Sequence, residues 1–154
     1  MISGQNKEKK DAPILEYTVL AAVIAVSLLF IFQVKTRDVN FARSVFSGLV
    51  NGRGGIEKYI DWEHLQGVGI DAGATYSKIT KQIERSGYKM AFIKNFSIGF
   101  VRSGGDLKSF VNWRVYSKEG AQTIVAADYR GRNKTLLLTL TGAGKKKLTS
   151  LQWK

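Results

Sequence analysis

Cysteine is absent from this 154-residue chain, and proline and histidine occur once each. The missing cysteines exclude disulfides, thiolate nucleophiles and cysteine–zinc sites, without fixing the compartment. One histidine among scattered carboxylates offers no ligand spacing, so neither a metal centre nor a cofactor is expected. Acidic residues are scarce: 12 Asp and Glu stand against 24 Lys and Arg, a formal net charge of +12. Residues 1–34 hold three bases and three acids, so the remaining 21 bases and 9 acids place the whole excess in 35–154. A surface so basic favours anionic partners, either phospholipid headgroups or acidic subunits.

Charge is missing altogether from Tyr17 to Val34, eighteen consecutive residues. At about 1.5 Å of rise per residue, this run with Pro13, Ile14 and Leu15 reaches roughly the 30 Å of a hydrocarbon core. No small-residue cleavage site follows it, Pro13 suits a first helical turn, and Lys35 and Arg37 can snorkel. The reading is an uncleaved anchor over 13–34 behind a basic cytoplasmic tail, 1–12. Lys7, Lys9 and Lys10 balance Lys35, Arg37 and Arg43, so the positive-inside count does not orient the span. The usual single-anchor arrangement puts the tail in the cytoplasm and the domain outside, in a bacterial inner membrane.

Beyond the span some 120 residues remain, enough for one domain with a core. Residues 35–51 spell an amphipathic juxtamembrane helix in which Phe41, Val45 and Leu49 recur at four, with Phe46 and Val50 beside them. A short helix is expected over 56–65 and a third over 71–94. The apolar face of the third is Tyr76, Ile79, Ile83, Met90 and Ile93, and Lys81, Arg85 and Lys89 form a basic strip on another, either a solvated face or a docking surface for acid. Period-two runs predict strands over 96–102, 109–118, 121–129, 134–141 and 146–153, joined by glycine-containing turns. Helices followed by an antiparallel meander give an α+β fold.

The segment ERSGYKMAFIKNFSIGF, the strands FVNWRVY and KTLLLTLT, and the final LTSLQWK resemble the NTF2-like superfamily over residues 38–154. The resemblance implies about three helices packed on a curved antiparallel sheet of four to five strands, forming a cone. A short tail, one span and an outer domain also parallel VirB8-type secretion subunits, in architecture only.

Enzymes of that superfamily place Asp, His or Tyr inside the cone. Here Asp61 and His64 stand three apart beside glycine-rich loops, where polar side chains ordinarily meet water, so no catalytic residue is assigned. Asn112, Arg114 and Asp128 form either a polar pocket or the wet outer face of the sheet, the second being the simpler reading. Gly142-Ala143-Gly144-Lys145 lacks the first Walker glycine, since residue 139 is threonine, and no helix is expected after it.

The expected function is therefore a non-enzymatic, membrane-anchored accessory or assembly subunit of a bacterial envelope complex. Its partners are membrane lipid and other subunits with acidic surfaces, self-association being a further arrangement. Nucleic acid is disfavoured. The alternative is a module binding a small hydrophobic ligand in the cone, lined by Trp62, Trp113 and Tyr129. A pilin-like subunit fits least, because Glu16 falls fourth after Ala12 and Pro13 would become the new N-terminus.

Overall fold

A computed structural model describes residues 12–67 and 69–154. The expected tail lies outside them, except Ala12, which opens the first helix. The chain divides into two compact units, Met1–Lys35 and Thr36–Lys154.

In the first unit, helix α1 (Ala12–Val50) carries the uncharged run. Apolar side chains from Tyr17 through Ile31 are exposed, and the stretch is long and apolar enough to cross a membrane.

In the second unit, residues 36–50 of the same helix change character. Ala42, Val45, Phe46, Leu49 and Val50 are buried, which is the expected stripe, and Phe41 packs edge-on against Tyr59 at 5.6 Å. The helix thus docks on its own domain, as its period of four dictates.

The expected helix over 56–65 is instead a single 3-10 turn, Glu57–Tyr59. Ile60 then bridges to Leu148 and the Asp61 N–H donates to the Leu148 carbonyl. An open strand edge takes backbone hydrogen bonds that a short isolated helix would have had to make for itself. Two brief strands follow, β1 (Gln66–Gly67) and β2 (Ile70–Asp71). Gly67 has φ +127°, and a Cβ there would lie 1.7 Å from the Leu151 carbonyl oxygen, so only glycine admits this backbone approach.

The expected third helix is broken. Asp71 caps α2 (Ala72–Ser77) by accepting from the Ala74 N–H, and α3 (Gln82–Arg102) begins after extended Lys81. Helix α3 also runs through 96–102, where a strand is expected. Tyr88, Phe92, Phe96 and Phe100 recur every four residues and turn to the core, so the helical period wins over the alternation Phe96-Ser97-Ile98-Gly99-Phe100. Ile83 and Met90, expected on the apolar face, are 88% and 72% exposed, while Tyr76 and Ile93 are buried.

The four remaining strands match their expected positions to within a residue: β3 (Phe110–Glu119), β4 (Gln122–Tyr129), β5 (Lys134–Thr141) and β6 (Lys147–Trp153). They form an antiparallel meander in a six-stranded sheet ordered β2-β1-β6-β5-β4-β3, with β1 parallel to β6. Val125, Ala127, Leu136, Leu138, Leu140, Leu148 and Leu151 are all buried against the helices. The fold is α+β, with helices first and the sheet after.

Candidate ligand cavity

Where the aromatic row of α3 meets β3 to β6, the side chains do not close completely. They leave an open cavity of about 710 Å³, inside the size range of small-molecule sites.

Its helical wall is Tyr88, Phe92, Phe96 and Phe100, with Gly99 between the last two, and Phe46 of α1 contributes to the lining. The sheet supplies Phe110, Tyr129, Leu136, Leu151 and Trp153. Rings brace one another: Phe46 meets Phe110 at 4.9 Å and Phe100 at 6.0 Å, and Tyr129 meets Trp153 at 6.0 Å. Such edge-on pairs hold the wall in place. Gly105 completes it by close approach, its position for a Cβ lying 2.7 Å from the Phe100 ring.

Polar groups in the lining are few. Tyr88 donates its hydroxyl to the Ala72 carbonyl at 3.2 Å, and burial pushes its pKa up, so it stays neutral. Ser103 donates to the Phe100 carbonyl, and Asn95 adds an amide. Arg132 comes from the β4–β5 turn, where Gly131 takes φ +83°, and Lys134 opens β5. The Arg132 guanidinium lies 5.8 Å over the Tyr129 ring. Among the described residues no carboxylate or imidazole lines the cavity.

Of the expected lining, Tyr129 faces the cavity and the two tryptophans do not line it. Trp62 is buried, donates its indole N–H to the Glu57 carbonyl and packs against Tyr76, Tyr88 and Phe92. Trp113 leans on Phe46 and Phe110 and donates to the Phe110 carbonyl.

The basic strip is only partly a strip. Lys81 precedes α3 and pairs with Glu84 at 3.2 Å. Arg85 donates to the Ile79 carbonyl and stacks on Tyr76 at 5.0 Å, and Lys89 sits 5.3 Å from the same ring. Both cations are half-buried against the aromatic cluster.

Asp61 and His64 do meet, at 3.0 Å, but on the surface, with the imidazole 71% exposed. Asn112, Arg114 and Asp128 also converge. Arg114 grips Asp128 with both terminal nitrogens, at 2.9 and 3.0 Å, while Asn112 and Thr135 donate to the same carboxylate. The Arg114 hydrogen bonds hold the Asp128 pKa below the usual carboxylate range. Every group in this cluster has a partner within it, and none lines the cavity. Among the described residues no group of three His, Asp or Glu side chains is placed to hold a metal ion.

Residues missed at the sequence level are Phe92, Phe96 and Phe100, and the pair Arg132 and Lys134. The recurrence of aromatics every four residues from Tyr88 was the available signal for the first group. Nothing local marks the second, whose role depends on where a turn lands. Comparison with protein-family models, curated proteins and solved structures finds no match to this chain.

Proposed function

We propose that the chain is a membrane-tethered, non-enzymatic subunit of a bacterial envelope complex, with its basic domain outside the inner membrane. One observation carries this reading: α1 bears an uncovered apolar run of spanning length and, further along, a stripe buried in the domain. A helix used in this way serves as anchor and as core element together. We read the element order, helices and then a meander, as an NTF2-like cone, on the resemblance of its sequence segments. The excess of Lys and Arg in 35–154 supports acidic subunits or headgroups as partners. Of the strip, Lys81 is the most accessible contact, while Arg85 and Lys89 offer charge from a braced position.

The test is fractionation followed by mild-detergent affinity purification. The protein should resist alkaline extraction from membranes, dissolve with detergent and bring defined subunits with it. Recovery in the aqueous fraction without detergent would overturn the anchor.

A second reading is favoured by the cavity itself: a tethered module that binds a small apolar ligand. A site of about 710 Å³ walled by aromatic rings, with few polar groups, has the usual make-up of a ligand pocket. Thermal stabilisation of the full chain by a small hydrophobic ligand would separate it from a purely structural role.

A further inference from the structure

We infer that the cavity takes an amphipathic anion, an apolar body ending in a single carboxylate, with the carboxylate at Arg132 and Lys134. The inference rests on the second reading above, that the cavity binds a ligand, and adds the class of that ligand.

The polarity of the lining is one-sided. Phe96, Phe100, Phe110, Leu151 and Trp153 offer an apolar wall, while the charged residues of the described lining are both cations, Arg132 in the β4–β5 turn and Lys134 at the start of β5. A neutral apolar ligand would leave these cations without a role at the site. A cationic ligand would be repelled by them.

The two side chains are also uncommitted. No Asp or Glu of the described residues pairs with either one. The Arg132 guanidinium lies over the face of Tyr129, and its N–H fork meets no carboxylate of the described residues. Elsewhere in the domain, basic groups beside acids have closed such pairs, as Arg114 does with Asp128 and Lys146 with Asp38. A guanidinium and an ammonium lining the same apolar cavity match a carboxylate, which can accept N–H bonds from both.

The geometry also supplies a blocking variant. Gly99 lines the cavity from α3, and a Cβ added there meets nothing within 4 Å. Gly99→Trp would fill the cavity without a clash at its Cβ. Arg132→Gln with Lys134→Gln alters exposed side chains of the β4–β5 turn and the first position of β5 and leaves the core intact.

The experiment uses the full chain in zwitterionic nanodiscs, with empty discs as the blank. Binding of biphenyl carboxylate, biphenyl carboxamide and biphenyl methylammonium is followed by calorimetry and by tryptophan fluorescence, since Trp153 lies in the wall. The carboxylate is expected to bind at least tenfold tighter than the amide, about 1.4 kcal/mol, and the ammonium weakest. The double Gln variant should bring the carboxylate down to the amide, added salt should weaken the carboxylate alone, and Gly99→Trp should abolish both. Equal binding of carboxylate and amide, both lost in Gly99→Trp, would overturn the anion inference and leave the cavity reading standing. Carboxylate binding that survives Gly99→Trp, or no binding of any probe to the wild-type chain, would overturn both.

Discussion

Asp38 and Lys146 lie 108 residues apart and meet at 2.6 Å, with the Thr123 hydroxyl bonded to both. The three groups tie the domain's first helical turn to β4 and to the start of β6. Thr123 is fully buried, and the two charged side chains keep only 13% and 19% of their exposure.

Removing one partner should cost more than removing both. Asp38→Ala leaves a largely covered ammonium without its counter-charge, and a loss of about 2–3 kcal/mol is expected. Asp38→Leu combined with Lys146→Met replaces the pair by apolar volume and should cost less than the single change. Thermal melts of the full chain in detergent measure both, and an equal or larger loss in the double variant would show the pair to be net stabilising.

Two glycines should respond in opposite directions to the same change. Gly99→Ala places a methyl group in open space inside a helix and should stabilise by about 0.5–1 kcal/mol. Gly67→Ala drives a methyl group into the Leu151 carbonyl at a left-handed φ and should cost at least about 2 kcal/mol. Denaturant midpoints of the two variants, read against the wild type, check the contrast.

Phe46 is 2% exposed and touches Phe96, Phe100, Phe110 and Trp113 while lining the cavity. Phe46→Ala should cost about 3–5 kcal/mol and enlarge the cavity rather than collapse it, because the surrounding rings brace one another. A crystal structure or ligand titration of the variant would show whether the void persists.

Asp128 gives a pH signature. Its folded pKa lies below the ordinary carboxylate value of about 3.9, so its contribution is fully present above that pH and is lost as pH falls through the depressed value. The stability gap between wild type and Asp128→Asn should therefore be constant near neutrality and close below about pH 4. Denaturation series at stepped pH measure it, and a gap that widened in acid would contradict the Arg114 pairing.

The meander was legible in the sequence because each strand is bounded by its own turn, such as Arg130-Gly131-Arg132-Asn133, and local chemistry decides both. The stripe of Phe41, Val45, Phe46 and Leu49 was legible for the same reason, one period sustained over several turns. Residues 96–102 were not, because Phe96, Ile98 and Phe100 satisfy period two while Phe92, Phe96 and Phe100 satisfy period four. Only packing against Phe46 chooses between them. Ile60 and Trp62 were misread for a different reason, since the backbone partner that straightens 60–61 is Leu148, far away in the chain. Of the three residues expected to line a cavity, Tyr129 is in its wall and the other two are not. Trp62 and Trp113 each found a carbonyl for the indole N–H, Trp62 within the core and Trp113 packed against it.

Strand β6, the last of the described strands to leave the ribosome, sits between β5 and β1. The sheet cannot be completed until Trp153 has been made, long after the apolar run of α1 that ends at Val34. Under the proposed anchor, tethering would precede completion of the sheet, and the domain would take shape beside the membrane that holds α1.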